Sequence, residues 1–289
     1  VTLELPGKLA GQAQLAATVA GATAEAVGSR VPSSIRPLPP SQDGRRPLVA
    51  VMQSQDVKAW YEDMGWYYED DLDMIMEMAA GIGPDGPECA LVPADKLDGL
   101  AARVSERPVL LMLSNVRRMS ERQMRAVRDF VAAGGRVLAT YQTSLKTETE
   151  AIAGEYGFGL ADLFGAELAG WTGVSPLHDA IIPVDPGEVD SGADAYALAG
   201  AIWEGIEGPV RLRVPEGMVV KPWPGSVVLG QWSSQSGAPS GALRLNAAIV
   251  LHGPVMYVGA ELLSWDALQE DSARALAANI IRFMLGVDR

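Results

Sequence analysis

The chain has 289 residues, with 23 Lys and Arg against 36 Asp and Glu, a formal net charge of −13. Such a surface repels phosphate backbones and anionic headgroups, which argues against nucleic-acid and membrane partners. Hydrophobic residues make up 48% and charged residues 20%. That balance excludes a disordered acidic tail and supports a large core, in one large domain or two modest ones.

A single cysteine, Cys89, excludes an intrachain disulfide framework and any multi-cysteine metal site. Two histidines, His178 and His252, leave little for a histidine-based site, so metal chemistry would have to rest on carboxylates; no metal and no other cofactor is expected. No apolar run approaches the roughly 20 residues of a membrane span. The start Val1-Thr2-Leu3-Glu4 lacks the regions of a signal peptide, so a cytoplasmic location is expected. The missing initiator Met is compatible with a non-Met start or with a fragment of a longer chain.

Residues 1–47 read as an arm: an Ala-rich stretch from Leu9 to Val27, then a Pro-rich linker through Val31-Pro32 and Pro37-Leu38-Pro39-Pro40. The body runs from residue 48 to 289. Its first element is Leu48–Met52, a continuous apolar run expected to be a strand buried on both faces. A helix through Asp71–Met78 is predicted to end before Gly81. Glu88–Val92 follows as a strand, Asp95–Val104 as a helix and Val109–Leu113 as another buried strand.

Ser120-Glu121-Arg122-Gln123 fits a capping box. Met124, Val127, Phe130 and Val131 then fall on one helical face, and Gly134-Gly135 supplies a C-terminal stop before the strand Arg136–Thr140. Strand, helix and strand joined by short links predict a right-handed crossover in a parallel sheet. Further on, Val210–Val214 and Ser226–Leu229 read as strands, and Ala247–Leu251 with Val255–Val258 as a hairpin around His252-Gly253-Pro254. Ser272–Leu285 reads as a closing helix with Leu276, Ile280, Phe283 and Met284 on one face. The expected fold is a three-layer α/β body carrying a late antiparallel β extension, around residues 205–255.

Leu111-Met112-Leu113-Ser114-Asn115-Val116, the helix to Gly134-Gly135, Thr140-Tyr141-Gln142-Thr143-Ser144-Leu145 and Ala161-Asp162-Leu163-Phe164-Gly165 together resemble the β-galactosidase trimerisation domain. Val255–Gly259 and the helix through Leu276–Phe283 are similar to that domain's ending. The resemblance covers roughly residues 48–286 and implies a class I glutamine-amidotransferase-like, flavodoxin-like fold. It also implies an accessory, oligomerisation role beside a glycoside hydrolase barrel in carbohydrate metabolism, with a homo-oligomer or that barrel as the expected partner. No catalytic barrel lies within the chain, which is therefore not expected to be an enzyme by itself.

A working amidotransferase of this fold places a Cys at a strand-to-helix turn, served by a His-Glu pair. The corresponding turn here, Tyr141-Gln142-Thr143-Ser144, has no Cys. Cys89 is expected to be an inert thiol. A rival reading is a stand-alone hydrolase or amidotransferase relative with Thr143 or Ser144 served by His252 and Glu261, against the bland reading that both hydroxyls bond the turn backbone. His178, beside Asp179, is expected at the surface.

The segment Trp60–Asp71 concentrates aromatics beside carboxylates. Trp60, Tyr61, Trp66, Tyr67, Tyr68 and Asp70 are the candidate contacts to a protein partner or to a sugar, which keeps a carbohydrate-binding module open as a third reading. The plainer alternative is a helix start, with Glu69, Asp70 and Asp71 at its positive end and the rings packed beneath. Arg117-Arg118 reads as a solvated pair or an anion contact. Trp223 and Trp232 read as closing the β extension or as a contact platform.

Overall fold

The computed structural model describes residues 45–83, 85–171, 180–184, 193–212, 217–233 and 246–286. The arm before residue 45, His178 with Asp179, and Arg213-Val214 lie outside the described residues. The body opens with β1 (Leu48–Gln53), α1 (Gln55–Asp63), α2 (Tyr68–Ala80) and β2 (Glu88–Pro93). The helix predicted over Asp95–Val104 is a 3₁₀ segment, Ala94–Gly99, followed by a single α turn, α3 (Leu100–Arg103). Then come β3 (Val109–Ser114), α4 (Glu121–Ala132) and β4 (Arg136–Thr140).

The capping box at α4 is present in full: Ser120 Oγ accepts from the Gln123 amide at 3.2 Å, and Gln123 Oε1 accepts from the Ser120 amide at 2.8 Å. Gly134, at φ 99°, takes the conformation that closes the helix before β4.

The remaining elements are α5 (Ala161–Phe164), β5 (Ala166–Trp171), β6 (Ala180–Pro183), α6 (Ala193–Trp203), β7 (Val210–Arg211), β8 (Met218–Pro222) and β9 (Val227–Ser233). The chain continues through β10 (Ala247–His252), β11 (Val255–Val258), α7 (Trp265–Leu268) and α8 (Asp271–Leu285).

The strands form one mixed sheet with the order β2-β1-β3-β4-β11-β10-β9-β6-β7. The first five are parallel to their neighbours, in the 2-1-3-4-5 arrangement of flavodoxin-like folds. From β11 onward pairing turns antiparallel: β10 pairs β11 as the predicted hairpin, β9 pairs β10, and β6 pairs β9. A branch of β8 on β10 carries β5. The extension thus draws on β5 and β6 as well, and begins earlier in the chain than the segment around 205–255.

Alternate residues of the parallel strands face opposite layers. Val49, Val51, Leu110 and Met112 pack with Ile75 of α2 and Leu276, Ile280 and Met284 of α8. Ala50, Met52, Leu111 and Leu113 pack with Leu97, Leu100 and the α4 residues Met124, Val127 and Phe130. Both faces are covered, which is why these strands read as unbroken apolar runs. Phe283, placed on the buried face of the last helix by its spacing, is only partly buried there.

Candidate functional site

In a doubly wound sheet the strand order reverses at one point, where ligands gather beyond the carboxyl ends. Here that point lies between β1 and β3, and the chain brings four segments to it. After β1, Ser54 caps α1 by accepting from the Val57 amide, and its own amide donates to the Tyr68 hydroxyl at 3.2 Å. After β3 comes Asn115, held at φ 49° with its amide donating to Thr140 Oγ1 at 3.2 Å. After β11 comes Glu261. The N-terminal turn of α2 supplies Asp71.

These residues form one polar cluster. Tyr61 Oη lies 2.7 Å from Asp71 Oδ2 and 3.0 Å from Glu261 Oε1. Asn115 Nδ2 donates to Glu261 Oε1 at 2.6 Å, and the Trp265 amide donates to Asp71 Oδ1 at 2.6 Å. Burial pushes the Asp71 carboxyl above its ordinary range, because a charged form is disfavoured away from water. Burial, then the adjacent Glu261 and Asp71 charges, raise the Tyr61 phenol far enough to keep it protonated. Tyr68 is raised to about 12, again mainly by burial.

The aromatic segment is two helix ends and a short turn rather than a loop. Trp60 and Tyr61 belong to α1, Gly65 at φ 76° and Trp66-Tyr67 form the turn, and Tyr68 begins α2. Tyr61 packs edge-on against Trp60, Trp66 and Tyr68, with centroids 5.4, 5.7 and 5.5 Å away. Tyr61 and Tyr68 are therefore core rings, 5% and 2% exposed. Trp60 is partly buried beneath the Arg117 guanidinium, 5.6 Å from its ring. Of the six candidate contact residues, Trp66 (47% exposed), Tyr67 (75%) and Asp70 face outward. Met64 and Trp265 are exposed as well.

The structure does not assemble the Thr143/Ser144–His252 arrangement. Thr143 Oγ1 is buried between the Leu113 and Thr140 carbonyls, at 2.9 and 2.7 Å, and also accepts from the Val116 amide. Ser144 Oγ accepts from the Leu160 amide at 3.1 Å. Both hydroxyls hold the turn backbone. His252 ends β10 beside Val255, the first residue of β11, whereas Thr140 pairs with Val258 at the other end of that strand. His252 therefore belongs to the amino edge, opposite the turn after β4. There its Nδ1 lies 3.0 Å from Ser226 Oγ, which donates to the Gly165 carbonyl. Desolvation lowers the His252 pKa. Glu261 is at the same edge as Thr143 and Ser144, and it accepts from Asn115 and Tyr61.

Cys89, in β2, is half-buried with its thiol pushed up by burial. Arg117 and Arg118 pair with Glu150, and Arg118 also with Asp56. Trp232 is fully buried and donates to the Met218 carbonyl, so it closes the extension's core, while Trp223 meets Tyr156 edge-on. Asp71 and Asn115 escaped the sequence reading as site residues. Their only signal there was position, one in the first turn of a helix and one just after a buried strand.

No protein-family model and no curated protein matches the sequence. Solved structures do. A β-galactosidase from the Antarctic haloarchaeon Halorubrum lacusprofundi superposes with a TM-score of 0.54 at 19% identity, covering 83% of this chain and 30% of that one. A β-galactosidase from Rahnella sp. R3 gives 0.52 at 17%, covering 79% and 30%. The α-L-fucosidase isoenzyme 2 from Paenibacillus thiaminolyticus gives 0.50 at 16%, covering 83% and 33%. The chain spans about a third of the length of these proteins, at identities that establish fold alone. Its α/β fold is that of a segment contained in larger glycosidases, as the resemblance to the β-galactosidase trimerisation domain implied.

Proposed function

We propose that this chain is an accessory domain or subunit of a glycoside hydrolase, and that it docks on the catalytic barrel through the carboxyl edge of its sheet. The observation that carries the reading is the Met64–Tyr67 turn. It is fixed at both ends by helices whose Tyr61 and Tyr68 rings are buried, yet it leaves Trp66 and Tyr67 47% and 75% exposed. Rigid aromatics bound to a packed base are suited to fill a partner's pocket, since little conformational entropy is lost on docking. The glycosidase context of the similar folds supports the choice of partner.

The test is co-purification with a β-galactosidase-type barrel from the same source, with mass measured by light scattering. Replacing both rings, Trp66→Ala and Tyr67→Ala, is expected to weaken association about 30-fold or more. Tyr67→Ala alone should move stability by only about 0.5 kcal/mol, whereas Trp66→Ala also removes edge-on contacts to Trp60 and Tyr61 and should cost about 1–2 kcal/mol, so association is compared at a temperature where both variants remain folded. A wild-type chain that stays monomeric beside the barrel at micromolar concentration overturns the proposal. Self-association without barrel binding would instead assign the turn to a contact between copies.

A second reading, direct sugar contact, is favoured by the outward Trp66 and Tyr67 rings beside exposed Asp70. Titration with methyl β-galactoside would then quench tryptophan fluorescence saturably, and a flat response removes it.

A further inference from the structure

The sheet ends on one side at β2, whose only strand neighbour among the described residues is β1. The Glu88 amide donates to the Pro47 carbonyl at the start of β1. Backbone groups alternate in direction along a strand, so Glu88, Ala90 and Val92 face β1, while Cys89 and Leu91 turn their N–H and C=O groups outward. Pro87 and Pro93 hold the flanking outward positions and carry no N–H. An open edge of this kind is a template for a further strand, and β2 lacks the usual guards against one. Its register with β1 is unbroken from Glu88 to Pro93, so no bulge bends it away. Its centre, Cys89-Ala90-Leu91-Val92, carries no charge, and Leu91 is 40% exposed.

A second copy of the chain fits this edge. Two β2 strands running antiparallel about a two-fold axis are self-complementary. With the axis at Ala90, Cys89 of each copy and Leu91 of the other exchange both of their hydrogen bonds, and the prolines face each other beyond them. Moving the axis to Cys89 or to Leu91 sets a proline opposite one of these donors and leaves that pair half made. Charge favours the same arrangement. At the amino end of β2, Arg107 pairs with Glu88, and Arg46 and Arg103 lie close to the same carboxylate. Arg46 also donates to the Gly86 carbonyl. Beyond the carboxyl end, Asp95, Asp98, Glu121 and Glu148 line one groove with Arg122. Antiparallel pairing lays each basic end on the other copy's acidic end, with Gly86 opposite Ala94 and Arg46 therefore beside Asp95 of the other copy.

We propose that two copies of this chain pair through their β2 edges about a two-fold axis at Ala90, joining their sheets into one. The contact goes beyond docking on a barrel, and it lies apart from the Trp66–Tyr67 turn, so the two are separable by mutation.

The single cysteine permits a register test in the full chain. The pairing brings the two Ala90 Cα atoms to about 4.5 Å, within disulfide range, and leaves the two Leu91 residues on a diagonal of roughly 7–8 Å. In a Cys89→Ser background, copper-phenanthroline oxidation should cross-link Ala90→Cys about tenfold faster than Leu91→Cys, or more. Sedimentation equilibrium of the wild type should show dimer by about 100 μM. Leu91→Pro removes an outward donor at an edge position that tolerates proline, and should raise the dissociation constant about tenfold or more. If Leu91→Pro fails to fold, Arg46→Glu takes its place: it should weaken the dimer, and Asp95→Arg added to it should restore association. A wild type that stays monomeric at that concentration, equal cross-linking at both positions, or no rescue by the charge reversal overturns the pairing. So does a dimer that survives Leu91→Pro and is lost in Trp66→Ala/Tyr67→Ala, which would move the contact to the turn. Barrel co-purification is scored separately, and its failure leaves the β2 pairing intact.

Discussion

Asp71 shows how one residue reports on the site. Its carboxyl is 7% exposed, accepts from Tyr61 and Trp265, and is raised above its ordinary value of 3.8 chiefly by burial. A carboxyl raised in the folded state binds its proton more tightly folded than unfolded. Its ionisation therefore penalises the fold in full above the raised value, and the penalty is lost as pH falls through that value toward 3.8. Asp71→Asn removes the titration while keeping an acceptor for the Trp265 amide and adding a donor toward the Tyr61 oxygen. The variant should gain stability relative to wild type at neutral pH, and the gap in urea midpoints should narrow toward about pH 4. A gap that does not change with pH would show that Asp71 is not the strained acid. At this scale the composition of Trp60–Asp71 was legible, but the inward or outward direction of each ring was not. Tyr61 and Tyr68 turn inward because α1 and α2 meet the sheet at a relative phase that no local spacing encodes.

Among the elements, α4 was the most legible, since its start and amphipathic face are written in a local code. Ser120→Ala removes the side-chain acceptor for the Gln123 amide and should cost about 0.5–2 kcal/mol, read as a lower urea midpoint with unchanged slope. An unchanged midpoint would mean that water replaces the cap at no cost. By contrast, α1 was passed over because only Val57 and Tyr61 of its nine residues are buried, so it shows little apolar stripe. Strands β5 and β6 escaped for a related reason. They are four to six residues long and half-exposed, and their pairing with β8 and β9 is non-local.

For the whole molecule, closure depends on contacts between distant parts of the chain. Arg136, the first residue of β4, is 4% exposed, and its guanidinium donates to the Met284 carbonyl at 2.7 Å and reaches the Phe283 carbonyl at 3.5 Å. It thereby satisfies the C-terminal end of α8, where the helix dipole is negative. Arg136→Met keeps the aliphatic bulk but removes the donors, and should destabilise by about 1.5–3 kcal/mol. Hydrogen exchange should then rise first in the last turn of α8. Equal or higher stability would show that desolvating this arginine costs as much as its bonds return.

Local order was determined by the sequence itself. The apolar runs of β1, β3 and β4, the α4 cap and the crossover between β3 and β4 follow from side-chain periodicity and short links, and they imply a parallel sheet covered on both faces. Tertiary structure alone decided which residues share a site. Tyr61 and Glu261 are 200 positions apart, and they meet because β11 enters the sheet beside β4 while α1 and α2 fold over the end of β1. The same topology sends His252 to the opposite edge, away from Thr143 and Ser144. A strand's neighbours and direction are set by the packing of the entire sheet, so the identity of the residues at its switch point is a property of the fold rather than of any segment.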